Sequence, residues 1–367
     1  SDSIVVNFGA RSFAYTAPSG FKALCTANLP APVVTKPSTV MDVALYTGNG
    51  STQTITLPGG MSPDLVWIKR RDGANAHALF DVIRGATKVL ESSNTGAEKT
   101  NDPPITSFDS SGFTVEGTYS QTNASSASYV AWTWDAGSST VTNTQGSITS
   151  QVRANASAGF SIVTYTGNSA TDQTIGHGLG VVPGMVIVKS RGSTDPWVVY
   201  HTSLGATKFL YLNQTTGESI VAGYWGTPSS TTFGIKGGGW ANNVNGVAMV
   251  AYCFAPVAGY SSFGSYTGNG STDGPFVYTG HRSRWILVKR TDSADNWAIW
   301  DTTRSTSNLS QRILLPESPD SEYDNSIYGI DVLSNGFKVR NTRFNTSSAT
   351  FVWASFAESP FQYARAR

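Results

Sequence analysis

The apolar residues of this chain come in short runs separated by turn-forming residues. Leu65-Val66-Trp67-Ile68 is a continuous apolar run, which predicts a strand buried on both faces. Tyr129–Trp134 and Phe351–Phe356 are similar, each bounded by Gly, Ser, Asn or Thr. No stretch shows a 3.6-residue period long enough for a helix of more than a turn or two. The pattern predicts an all-β protein of tandem antiparallel β-sandwiches, of jelly-roll or concanavalin-like type.

The runs recur in a fixed order, three times. Each copy opens on Tyr-Thr-Gly-Asn, at Tyr46–Asn49, Tyr165–Asn168 and Tyr266–Asn269. A strand ending in lysine follows (Lys69, Lys189, Lys289), then an aromatic strand, and a hydrophobic strand closes the copy. Lys69 and Lys189 are 120 positions apart, as are Gly85-Ala86-Thr87-Lys88 and Gly205-Ala206-Thr207-Lys208, Phe113 and Phe233, and Ala131 and Ala251. A repeat of this kind sets the fold before any local reading does. It predicts sandwich units over 39–140, 141–257 and 258–367, each large enough for its own core. Residues 1–38, with their Pro-rich exit Leu29-Pro30-Ala31-Pro32, stand outside the repeat and read as the end of an upstream domain plus a linker. The first residue is Ser1 and no signal-peptide pattern follows, so the chain is expected to begin within a longer protein.

Composition narrows the function classes. Charged residues are 13% and the formal net charge is +1, which gives no basic field for nucleic acid or an anionic membrane. No apolar run is long enough to span a bilayer. The two cysteines, Cys25 and Cys253, make no disulfide framework; Cys253, within Val247–Phe254, reads as a buried thiol. No metal or cofactor motif is present: there is no Cys/His cluster, Gly176-His177-Gly178-Leu179-Gly180 lacks the Lys-Ser/Thr of a phosphate loop, and Asp172, Asp273, Asp292 and Asp295 lack calcium-loop spacing. Catalytic residues are expected to be absent, since Glu116, Glu317, Glu322 and Glu358 have no counterparts between copies and none of the four histidines sits in a known catalytic motif.

One constellation invites a binding reading. Asp81–Arg84 and Asp301–Arg304 are spaced alike, preceded by Phe80 and Trp300, while the second copy has His201 and Leu204 there. With Trp297, which is equivalent to Trp197 and His77, these residues could form a sugar site: rings beneath a pyranose, a carboxylate and a guanidinium on its hydroxyls. Asp81, Arg84, Trp297, Trp300, Asp301 and Arg304 are the candidates. The competing expectation is a local ion pair pinning a turn beside core aromatics. The three lysines are expected to guard strand edges against pairing.

The segment "NFGARSFAYTAPSGFKALCTANLPAP" resembles the C-terminal end of SPRY-like, concanavalin-like domains of tailed-phage structural proteins. The stretches "ITSQVRANASAGFSIVTYTG", "VYHTSLGATKFLYLN", "GYSSFGSYTG", "DVLSNGFKVR" and "FAESPFQYARAR" resemble a repeated domain in virion proteins of tailed bacteriophages. The resemblance implies a non-enzymatic virion protein on the particle exterior, in the tail rather than the capsid. It implies other virion proteins as partners and a homo-oligomer, a trimer being favoured. A tail-fibre or tail-tip adhesin contacting host surface glycans multivalently is the leading expectation. A capsid decoration or fibre spacer is the alternative, and a glycan depolymerase a third. Sequons at Asn49, Asn123, Asn213 and Asn345 are expected to be inert in such a protein.

Overall fold

A computed structural model describes residues 31–362 apart from 101–104 and 239, together with 14–16, 18–20 and 28–29. The SPRY-like reading, Cys25 and the last residues of the tail lie outside the described residues. The described structure is all-β, with three 3-10 turns, Pro37–Thr39, Ser326–Tyr328 and Arg343–Asn345.

Every copy builds the same four-stranded antiparallel sheet. The strand order is opening, closing, lysine, aromatic. In the first unit these are Met41–Thr47, Ser128–Trp134, Leu65–Arg70 and Ala78–Asp81. In the second they are Phe160–Thr166, Ala248–Phe254, Met185–Ser190 and Val198–His201. In the third they are Ser261–Thr267, Thr350–Pro360, His281–Arg290 and Trp297–Asp301. The register is kept as well: Lys69, Lys189 and Lys289 pair with Val130, Val250 and Val352 of the closing strands. A smaller sheet covers one face of each: Gln53–Thr56, Gly112–Val115 and Ile105–Asp109 in the first unit, Gln173–Gly176 with Thr232–Ile235 in the second, and Phe276–Tyr278, Gly336–Val339 and Ile330–Leu333 in the third. The second unit's main sheet grows to eight strands by adding Thr140–Asn143 and Ser150–Asn155 on one side and Lys208–Tyr211 and Ser219–Ile220 on the other.

The alternation of side chains across a strand divides each closing strand between two cores. Tyr129 and Ala131 face the first unit's own sandwich, as Met249 and Ala251 face the second's and Phe351 and Trp353 the third's. Val130, Trp132 and Trp134 point the other way, into a core shared with Val250, Tyr252 and Phe254 and with Val352, Ala354 and Phe356. The three units are therefore joined around one interior and do not form a string of independent beads. At its centre the equivalent residues Trp134, Phe254 and Phe356 touch one another, with centroids 6.0, 5.7 and 5.6 Å apart and mostly edge-to-face geometry. A pseudo-threefold axis runs through this triad.

Candidate functional site

The Tyr-Thr-Gly-Asn motif clasps each sandwich. The Tyr46, Tyr165 and Tyr266 hydroxyls donate to the Thr122, Asn242 and Phe344 carbonyls at 2.6–2.7 Å. Next, the Asn49, Asn168 and Asn269 backbone N–H groups donate to Oδ1 of Asn123, Asn243 and Asn345 at 2.8–3.1 Å. These last three asparagines are fully buried. The glycine between is fixed by close approach: a Cβ on Gly48, Gly167 or Gly268 would lie 2.2 Å from the Ala124, Val244 or Thr346 carbonyl oxygen. Burial also closes the sequons at Asn123 and Asn345 to any modification of the folded chain.

All six sugar-site candidates lie in the interior. Asp81, Arg84, Trp297, Trp300, Asp301 and Arg304 are each 3% exposed or less. Arg84 and Asp81 form a buried ion pair, as do Arg304 and Asp301. In each pair the arginine backbone N–H also donates to the aspartate at 2.8–2.9 Å, closing the turn. The local half of the ion-pair expectation is thus seen, but each pair also reaches into the next unit. Tyr252 of the second unit donates its hydroxyl to Asp81 at 2.8 Å. Trp132 of the first unit donates its indole N–H to Asp301 at 3.0 Å, and its ring carries the Arg304 guanidinium 5.6 Å from the centroid. Trp297 and the two ion pairs are enclosed between units and Trp300 in the third unit's own core, so these positions offer no platform to a sugar.

Tyr252 and Trp132 are equivalent, and their counterpart in the third unit is Ala354. There the second unit's His201 accepts the role, with Nε2 3.0 Å from the Trp353 carbonyl. The three contacts run first to second, second to third and third to first, and so close a ring. A second set of contacts closes in the same sense. The Glu98, Glu218 and Glu322 N–H groups donate to the Arg191, Thr291 and Arg71 carbonyls at 2.7–2.8 Å. Glu98 holds Arg191 by two bonds of 2.9 Å, and Glu322 holds Arg71 by bonds of 3.0 and 2.8 Å. Thr291 stands where the third arginine would be. Glu218 instead binds Lys208 of its own unit at 2.6 Å.

The aromatic position completes the joints. The Trp197 and Trp297 indoles donate to the Glu91 and Tyr211 carbonyls of the preceding unit, each at 2.9 Å. His77 takes this place in the first unit, stacked on Trp132 and accepting from Trp67 at 2.9 Å. Its polar neighbour across the joint is the Leu315 carbonyl, without a hydrogen bond of good geometry. Burial, reinforced by Lys69, holds the His77 imidazole well below its ordinary pKa.

The lysines are not edge guards. Each sits on an inner strand, fully buried. Their ammonium groups tie backbone carbonyls, and two reach across a joint: Lys69 to Pro319 O at 3.1 Å and Lys289 to Thr215 O at 2.9 Å. Burial pushes all three down to about 8. At Arg84 burial opposes the charge, but Asp81, Tyr252 and Glu98 outweigh it and hold the guanidinium above its ordinary value.

One pair of carboxylates meets just beneath the surface. Asp135 lines an open recess of about 710 Å³ with Ser62, Arg153 and Asn155, and Asp64 lies buried behind it. Burial foremost pushes Asp64 up to about 7, with Asp135 adding to the rise and Arg153 opposing it. The two carboxyls bond each other, and their oxygens also hold Ala136 N, Gly137 N, Asn155 and Arg153. Glycosidase carboxylates stand at least ~5 Å apart to admit a sugar, and this pair leaves no such gap. It is a further joint, since Arg153 belongs to the second unit. Cys253 is buried, and burial holds its thiol above its ordinary value. Among the described residues no group of three or more His, Cys, Asp or Glu is placed to hold a metal.

Sequence reasoning missed the second halves of these joints: Tyr252, Trp132, Glu98, Glu322, and the buried asparagines. The one available signal was that Asp81–Arg84 and Asp301–Arg304 change to His201–Leu204 in the unit whose partner position is Ala354.

No curated protein and no solved structure matches the chain. A family model described as a domain of unknown function, DUF7483, matches residues 36–360, running through all three units as one. The chain belongs to the DUF7483 family.

Proposed function

We propose that this chain is a non-enzymatic structural module of the exterior of a tailed-phage particle, acting as a decoration or spacer block. The observation that carries the reading is the closed ring of joints. The polar residues at this place in the repeats, which looked free to bind a ligand, hold the units to one another. The likeness of the repeat stretches to virion proteins is what supports that location. The threefold arrangement that fibre proteins reach by trimerising is here supplied within one chain, which suits a rigid block placed between other virion proteins. Adhesion through the two equivalent Asp/Arg positions is not part of the proposal.

Immunogold labelling of particles produced from the genome that encodes the chain tests it. Regular labelling of the outer surface supports the reading, and absence of the chain from purified particles overturns it. Incubation of the purified chain with host surface polysaccharide is expected to release no oligosaccharide; measurable release would move the reading to a depolymerase.

A further inference from the structure

The small sheets of the three units are alike in framework but not in outer face. Ile55, Ile175 and Val277 are equivalent and buried. Flanking them on the opposite face stand Thr54 and Thr56 in the first unit, and Thr174 and Gly176 in the second. In the third unit the same places hold Phe276 and Tyr278, 46% and 59% exposed. Two residues apart on a strand, they sit about 7 Å from each other along one face. The first two units fold without either ring, so the sandwich does not require them. Phe276 leans over Gly336, where a Cβ would lie 3.0 Å from its ring, but the equivalent Gly112 has no such cover. Shielding a glycine therefore does not explain the pair, and it leaves Tyr278 unaddressed.

Beside the rings lies a balanced set of charges. Asp273, 77% exposed in its side chain, receives Lys338 at 2.9 Å and Arg340 at 3.0 Å, both on Oδ1, leaving Oδ2 to other donors. Arg340 also meets Asp331 at 3.4 Å. Two cations face two anions, so the patch favours a neutral ligand that is rich in hydroxyls. Tyr278 is shared with a mostly apolar cleft of about 440 Å³ that includes Thr279, Gly280 and Ser262.

We propose that the outer face of the third unit's small sheet is a binding site for a neutral oligosaccharide. Pyranose C–H faces cover the Phe276 and Tyr278 rings, and ring hydroxyls bond Asp273 and Arg340. The site is single, belongs to one unit, and does not rest on the structural-module reading: its failure would leave that reading intact, and particle labelling decides the latter separately.

The test is affinity electrophoresis of the chain through gels containing dextran, starch or galactomannan, with titration by maltohexaose, cellohexaose and chitohexaose followed by intrinsic fluorescence. The wild-type chain is expected to bind at least one of these. The double variant Phe276→Thr/Tyr278→Thr, which copies the first unit and so should fold, is expected to lose at least tenfold in affinity. Asp273→Asn should lose a few-fold. Binding unchanged in the double variant, or no binding by the wild type to any of these sugars, overturns the proposal. Retention of the wild type by other virion proteins through this face, without sugar binding, would equally overturn it in favour of a protein contact.

Discussion

Two of the three joints are built from ions and the other from a neutral histidine, though all occupy the same place in the fold. Between the first and second units, Asp81 and Arg84 meet Tyr252, and Glu98 clamps Arg191. The joint between the third and first units repeats this with Asp301, Arg304, Trp132, Glu322 and Arg71. Between the second and third units the ion pair is gone, Ala354 replaces the facing aromatic, and His201 bonds a carbonyl. The backbone bond from Glu218 to Thr291 nevertheless survives. The comparison separates what the ring needs from what individual joints use. Shape, the central aromatic triad and backbone bonding are shared by all three; a carboxylate–guanidinium pair is not.

The sharpest way to break the comparison is to remove half of an ionic joint. Asp81→Ala leaves the buried Arg84 with Glu98 as its remaining carboxylate partner and should cost about 3 kcal/mol in a urea titration. Converting the whole joint to the histidine type, Asp81→His/Arg84→Leu/Tyr252→Ala, should cost clearly less than the single change. If the triple variant were the less stable one, charge would be a requirement of that joint.

The histidine joint can be separated from the ionic ones by pH. Burial holds His201 down to about 4, with the Trp353 carbonyl opposing. The unfolded state takes up its proton near 6.5 while the folded state does not. Stability is therefore lost as the pH falls from about 6.5 to 4, by up to about 3 kcal/mol. Burial likewise lowers His77 and His281, which add to the same window. His201→Gln should flatten only its own share of the loss, measured as the difference in urea midpoint between pH 7.5 and pH 5. An unchanged slope would mean that His201 is not buried neutral.

Within units, the clasp asparagines differ in their bonds. Asn345 Nδ2 reaches Asn269 and the Ser271 carbonyl, while Asn243 Nδ2 reaches the Ala170 carbonyl. Asn345→Ala should cost about 2–3 kcal/mol, and Asn243→Ala slightly less, by thermal or urea unfolding. At the small end, Arg290→Ala removes a surface pair with Asp292 and should change stability by under about 1 kcal/mol.

Much of the fold was legible because it is periodic. The run Leu65–Ile68 read correctly as a strand buried on both faces, and the second covering layer turned out to be the neighbouring units. The repeat marked equivalent strands, and those strands share one order and register. Function-related residues were harder to place. Asp81–Arg84 carries a local signal of a turn and an ion pair, yet its partner Tyr252 lies 171 positions away. Asn123 sits 74 positions from Asn49 and looks like an ordinary loop residue. A lysine ending an apolar strand suggests an edge on its own, and only the sheet order puts it inside. Phe276 and Tyr278 had a signal in the repeat itself, since their counterparts are threonine or glycine, but exposure had to come from the structure.

The central claim is that the three sandwiches form one cooperative ring around the Trp134–Phe254–Phe356 triad. Native-state hydrogen exchange on the whole chain, resolved to the closing strands Ser128–Trp134, Ala248–Phe254 and Thr350–Pro360, tests it most directly. The ring predicts that all three strands open with the same free energy, equal to that of global unfolding. Three separate opening free energies, or one closing strand exchanging well before the others, would contradict it.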